Sequence, residues 1–499
     1  MSAHEGIVAA GRETALPRVA GFSWPLLLGV SGFLVIVALG IGLGDQDVYL
    51  HVAVGRWIAE HGYVPAHDPF SFTMHGAPWV VQEWGAELLS VLAYRVAGWS
   101  GLVFLGAASF GATLAYLMRF LLKRMEPLHA LVLGSLAAGM MLPYLVDRPH
   151  ELVWPLTVIW TGALVEASEE RRAPSWWLLG VMLLWVNMHA SFMLGLVLMV
   201  PVALDAIESD TEAWLRIATR WLPFCAAAVA ITLLNPQGYR LLAFPFHILA
   251  IKEIMWYFKD WRPPNLQHLQ VLDLWLIAVL GTAFAGRMRL SLGRAAAVLG
   301  LLYMALEHFR NVALLGMLSP FFLALPVATF YRSAPRTGQD ADLLDRWFHA
   351  LCGPARRATV WVTLPLACAA AVIALHSETP RPPRILAPRA ALDAILTRVS
   401  RPRIFNDVNF GDYLIFRGVP VFVDARADLY GQAFLKKTFD AVSSAPDGHI
   451  QALLAKYGIN AILLWPGMAV VPLINRMPGW QRVYDGKWAV AYIRREAHT

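Results

Sequence analysis

The chain has 499 residues, of which 58% are hydrophobic and only 15% charged. Soluble domains carry about 45–50% apolar and about 25% charged residues, so this composition excludes disordered, collagen-like and coiled-coil proteins. It also argues against a soluble multidomain enzyme, whose surface must be covered with charge. The net charge of +6, in a chain this apolar, fits basic cytoplasmic loops of a polytopic membrane protein rather than a nucleic-acid partner. Cys225, Cys352 and Cys368 have no metal-type or redox-type spacing.

The first apolar run, 22–44, is too long for a secretory signal and reads as an uncleaved first helix. Further runs fall at 101–122, 128–146, 151–167, 174–190, 191–207, 221–236, 271–286, 295–309, 311–331 and 359–376. The expected fold is therefore α-helical and polytopic, with about eleven transmembrane helices. With the N-terminal segment 1–21 inside, the inside loops collect Arg119, Lys123, Arg124, Arg171, Arg172, Arg216, Arg220, Arg287, Arg289 and Arg294. The last inside loop adds Arg332, Arg336, Arg346, Arg356 and Arg357. This asymmetry is the positive-inside pattern, and it places the C-terminus outside.

The transmembrane domain spans 22–376, with long outer loops at 45–100 and 235–270. The first of these contains a polar turn at 61–65 and an expected amphipathic helix near 82–97. A Pro/Arg-rich linker, 377–389, leads to a small extracytoplasmic α/β domain, 390–499. Within it the pattern predicts strands at 419–423 and 460–464, helices at 432–443 and 449–457, and a hairpin over 482–494 turned at Asp485-Gly486.

The scarce polar residues gather on one side. Asp45, Asp47, His51, Asp68, Glu83, Arg148, His150, Asn187, His189, Asn235, Glu307, His308 and Arg310 all fall at outer helix ends or in outer loops. Such groups are costly near membrane depth unless they face a cavity or one another, so any chemistry belongs to the outer face.

Asp45-Gln46-Asp47 is the sharpest local feature. Carboxylates one residue apart can share a cation or divide base and orienting roles, or they can simply mark a helix end in water. It continues into Gly55-Arg56-Trp57-Ile58-Ala59-Glu60-His61-Gly62-Tyr63-Val64-Pro65, then His67-Asp68-Pro69-Phe70-Ser71-Phe72-Thr73, then Gly76-Ala77-Pro78-Trp79-Val80-Val81-Gln82-Glu83-Trp84. This stretch resembles the first outer loop of the GT-C superfamily of membrane glycosyltransferases. It is most similar to the bacterial branch related to protein O-mannosyltransferases and aminoarabinose transferases.

The resemblance implies an inverting transfer of sugar from a polyprenyl-phosphate donor to an envelope glycan, lipid or protein acceptor. It implies a bacterial cytoplasmic-membrane location with the tail on the periplasmic side. The Asp45/Asp47 pair matches the family's acidic motif, with Asp47 as general base and Asp45 as its orienting partner. Asp68 and Glu83 stand where further loop carboxylates are expected. No cofactor is required by the resemblance. A divalent cation (Mg or Mn) is left open, with Asp45 and Asp47 as its ligands.

A polyprenyl phosphate needs a cationic site at the interface, and guanidinium matches phosphate geometry. Arg148 and Arg310 are candidates, the alternative being ion pairs with Asp147 and Glu307. His51 and His189 complete the candidate substrate-binding set. Asn187 and His189 can equally be inter-helix hydrogen-bonding groups. His51, His61, His67 and His75 lack the spacing of a zinc signature. Asp424 and Arg426 are expected to pair and fix their loop, the alternative being that this face of the tail covers the membrane site and contacts the acceptor. Two other functions share these features: a transporter or lipid flippase, and a non-catalytic component of an envelope-assembly complex.

Overall fold

The computed structural model describes residues 21–145, 148–208, 214–285, 288–330, 343–377, 379–443 and 449–495. Residues 1–20, Asp147, Arg287, Arg332 and Arg336 lie outside the described residues.

Helix α1, Trp24–Leu39, starts at Ser23, whose hydroxyl accepts the Leu26 N–H, and stops at Gly40 in the left-handed conformation. Each apolar run of the sequence is a helix. Five helices among the described residues are long and apolar enough to cross a membrane: Trp99–Leu122, Pro127–Tyr144, Trp214–Ile231, Phe309–Thr329 and Arg357–Ser377. Large side chains such as Leu222, Phe284, Trp361 and Ile373 are exposed on these and neighbouring helices. An exposed apolar face of this kind is what a lipid-facing surface requires.

The outer loops are more helical than expected. In 45–100 the anticipated amphipathic helix is present as α3, Trp84–Ala97. A second helix, α2, Asp47–His61, precedes it and begins at the acidic pair. The stretch 235–270 contains helices Tyr239–Ala250 and Lys252–Met255 and a 3-10 turn at Lys259–Trp261.

At the opposite end of the bundle, a buried ion network ties the helices together. Arg294 bonds Asp205 at 3.2 Å and Glu169 at 2.9 Å, and Arg124 reaches Glu169 at 2.6 Å. Buried charges thus collect at the two ends of the helices.

The tail is a small α/β unit with a four-stranded sheet. Strands β1 (Ile404–Asn406), β2 (Ala461–Leu464), β3 (Trp480–Asp485) and β4 (Val490–Arg494) are ordered β1-β2-β4-β3. β1 and β2 are parallel, while β4 runs antiparallel to both its neighbours. The hairpin forms where the sequence predicts it, as do the helices Ala427–Val442 and His449–Lys456. The strand expected at 419–423 is a correction. Only Val421 makes bridges, to Ser71 and Ile404. Pro420 has no N–H to donate, which breaks a ladder there.

That bridge to Ser71 matters, because it fastens the tail to the first outer loop. Val421 donates its N–H to the Phe70 carbonyl and accepts from Phe72. Beside it, Arg426 bonds Asp68 at 2.8 Å and clasps Asp424 through two nitrogens at 2.8 and 2.7 Å. The guanidinium centre lies 4.5 Å from the Trp79 ring centroid, and Tyr430 donates to Asp424. All four polar groups are buried. The expected Asp424–Arg426 pair is therefore real, and it is half of a larger bolt whose other half is Asp68. The second outer stretch joins the tail too. Ile251, Ile254 and Met255 enter the tail's core, and Tyr257 stacks on Phe439 at 4.8 Å.

Removing one partner of a buried ion pair leaves an uncompensated charge. Arg426→Ala strands two buried carboxylates and is expected to cost about 3–5 kcal/mol. A lowered thermal midpoint in detergent, with faster proteolysis of the tail, is the measurement that checks it.

Candidate active site

The site is built where α2 and α3 pass close to one another. Asp47, His51 and Gly55 recur every four residues and so share one face of α2. Glu83 and Glu87 do the same on α3. A Cβ at Gly55 would stand 2.1 Å from the Glu87 carbonyl oxygen, so only glycine lets the helices approach this closely. Gly85 plays the matching part on the other side, since its Cβ would lie 2.6 Å from the Asn187 carbonyl. These two contacts bring His51 and His189 against the α3 carboxylates.

Arg148 is the hub of the acidic pair. Its guanidinium bonds Asp45 at 2.5 Å, approaches Asp47 at 3.3 Å and bonds Asp260 at 2.5 Å. The Asp47 N–H donates to Asp45 at 2.9 Å, which orients the first carboxylate. Burial, opposed by Arg148 and reinforced by Asp45, raises the Asp47 pKa to about 6. Its side chain is still 22% exposed, so an incoming group can reach it.

Glu83 lies between two imidazoles, 3.1 Å from His189 Nε2 and 3.6 Å from His51 Nδ1. Burial disfavours its charge, but His189, His51 and Arg310 together outweigh burial and hold its pKa at about 2. His189 Nδ1 accepts the Ser191 N–H at 2.9 Å, so its proton sits on Nε2 and is donated to Glu83. Glu87 is deeper, with a side chain 5% exposed, and burial lifts its pKa to about 7. The His150 ring lies tilted against that of His189, with centroids 6.1 Å apart, and burial followed by the charge of Arg310 pushes its pKa well below the usual imidazole range. Arg310 lies 5.4 Å from the Trp261 ring centroid. It closes no ion pair among the described residues.

The candidate residues thus divide. Asp45, Asp47, His51, Glu83, Arg148, His189 and Arg310 converge. Asp68 does not join them, because both its oxygens are taken by Arg426, Ser71 and the Phe70 N–H. Asn187 accepts from the Trp84 indole at 3.1 Å and donates to the Leu183 and Leu234 carbonyls, which is inter-helix bonding. Arg148 is paired, with Asp45, Asp47 and Asp260.

Three residues of the cluster escape sequence reasoning. Asp260 comes from the second outer stretch, where an acid among aromatics gives a faint cue. Glu87 carries the same helical spacing as Glu83 and could have been found from it. Asp412 is contributed by the tail, on the helix Val408–Phe416 that packs against α2. It is fully buried, and one of its oxygens has no partner. Burial, then the charges of Asp47 and Asp424, raises its pKa well above the carboxylate range.

No family model matches the chain, and no curated protein matches it. Solved structures do. One is ArnT from Cupriavidus metallidurans bound to undecaprenyl phosphate, at 12% identity and a TM-score of 0.49, covering 94% of this chain and 97% of that one. Another is the archaeal oligosaccharyltransferase AglB from Archaeoglobus fulgidus, in complex with an inhibitory peptide and a dolichol phosphate. It matches at 11% identity and a TM-score of 0.46, over 95% of this chain and 74% of that one. The mycobacterial arabinofuranosyltransferase AftD matches at 13% and 0.45, over 95% of this chain and 40% of that one. At these identities and scores nothing about the chemistry of this chain follows from the likeness.

A carboxyl whose pKa is raised on folding costs stability as pH rises above its unfolded value near 4. Asp412→Asn removes that cost. The variant is expected to be more stable than the wild type at pH 8, with the advantage shrinking towards pH 5. Thermal midpoints across that range provide the check.

Proposed function

We propose that this chain is an inverting membrane glycosyltransferase of GT-C type. It takes a sugar from a polyprenyl-phosphate donor on the periplasmic side of the bacterial inner membrane and passes it to an envelope glycan, lipid or protein acceptor. The observation that carries the reading is the state of Asp47. It is a partly exposed carboxylate with a pKa near 6, fixed beside Arg148 at one end of an apolar bundle. A general base works best when its pKa lies near the working pH.

The roles follow from the geometry. Asp47 takes the proton of the acceptor hydroxyl as that oxygen attacks the sugar's anomeric carbon. The bond to the phosphate oxygen breaks, and the polyprenyl phosphate leaves without needing a strong acid. Asp45, itself held by the Asp47 N–H, helps position Asp47 through the Arg148 guanidinium they share. Arg148 already serves three carboxylates, so Arg310 is the better placed of the two to meet the donor phosphate. His189 and Glu83 form a fixed donor–acceptor pair on the opposite wall. A transporter would place its charges near the middle of the membrane; here the buried charges described above lie at the helix ends.

The test is transfer by purified protein supplied with polyprenyl-phosphate sugars. Asp47→Asn is expected to lose at least about 100-fold in rate while keeping expression and insertion. Full activity of that variant would sink the assignment. In the wild type the rate should fall as pH drops through about 6, because only ionised Asp47 can accept the proton.

A further inference from the structure

We propose that His51, Glu83 and Glu87 bind one divalent transition-metal cation of the zinc class. The evidence lies in the spacing of their ligand atoms. His51 Nδ1 stands 3.6 Å from a Glu83 oxygen and 3.6 Å from a Glu87 oxygen. All three ligand atoms lie within 4.8 Å of one another. A separation of 3.6 Å is too long for a hydrogen bond, which closes at about 2.7–3.2 Å. It is close to what a shared cation produces. Ligands at about 2.0–2.2 Å from a tetrahedral zinc stand about 3.3–3.6 Å apart.

A second observation points the same way. His51 Nδ1 and one oxygen of Glu87 are buried and have no hydrogen-bond partner. An unmade hydrogen bond of a buried polar group is costly, and His51 Nδ1 is the atom that stands 3.6 Å from a carboxylate oxygen of both Glu83 and Glu87. A cation held with the two carboxylates gives that nitrogen its partner.

The surroundings are those of a metal site. Glu83 turns its other oxygen to His189, whose tautomer is fixed by the Ser191 N–H. Hydrogen-bonded outer partners of this kind orient metal ligands. One imidazole and two carboxylates suit zinc or manganese, and three protein ligands leave a fourth position for water or a substrate oxygen. The acidic pair expected from sequence to hold a metal is less suited. Arg148 already supplies Asp45 and Asp47 with a cation at 2.5 and 3.3 Å. The proposal is independent of the transfer reaction, since its readout is bound metal and not turnover.

The experiment uses tag-free, full-length protein in detergent, stripped with chelator and dialysed against Zn2+ or Mn2+. Elemental analysis should find one equivalent per chain. X-ray absorption on the zinc-loaded wild type should show a sulfur-free shell with a single imidazole. Glu87→Gln, which keeps the shape of the side chain, should weaken binding by at least about 100-fold, and His51→Asn likewise. Asp45→Asn should keep the metal. Circular dichroism and size exclusion verify that the variants fold, and the absorption spectrum decides the matter without them. Absence of stoichiometric metal in the wild type overturns the proposal. So does loss of metal in Asp45→Asn with retention in Glu87→Gln, or a shell with several imidazoles.

Discussion

One guanidinium holds the outer face together. Arg148 gathers Asp45 and Asp47 from the first outer loop and Asp260 from the second, and these segments are otherwise joined mainly through the tail. Three carboxylates around one cation leave an excess of negative charge in a partly buried place. That excess shapes what surrounds it. Together with burial it raises the Asp47 pKa to about 6 and pushes that of Asp412 well above the carboxylate range, while Arg310, which closes no ion pair among the described residues, helps keep Glu83 charged.

Packing sets the distances over which this balance operates. The electrostatics of Glu83 and Glu87 depend on imidazoles carried by other segments, and those approach only because Gly55 and Gly85 lack side chains. Rigid helices thus carry the reactive groups, although the segments themselves lie between the apolar runs. That arrangement suits a site requiring fixed geometry beside a fluid lipid phase.

Much of this was legible in the sequence, for a simple reason. In a chain with so little charge, each acid or imidazole near an apolar run stands out, which is how Asp45, Asp47, His51, Glu83, Arg148, His189 and Arg310 were recognised. The apolar runs were legible as helices for the same reason. What stayed hidden was polar groups among other polar groups. Asp260 and Asp412 sit in loops and tail where charge is common, and only contacts across more than a hundred residues give them a role. Asp68 was misplaced by proximity in sequence, since its partner Arg426 lies 358 residues away. The run 419–423 looked like a strand because of its apolar, β-branched residues, yet Pro420 and a single-residue bridge make it a fastening instead.

The bolt between Asp68 and Arg426 also sets an order of events during biosynthesis. The loop that carries Asp68 emerges early, and its carboxylate must wait for its cation until the segment around Arg426 has been made. Asp412 arrives with that same segment. A chain made only as far as its helices therefore lacks one side of the polar cluster until its tail docks. The tail acts as a completion signal, closing the polar cluster only once the sheet and helices that carry Asp412 and Arg426 have folded.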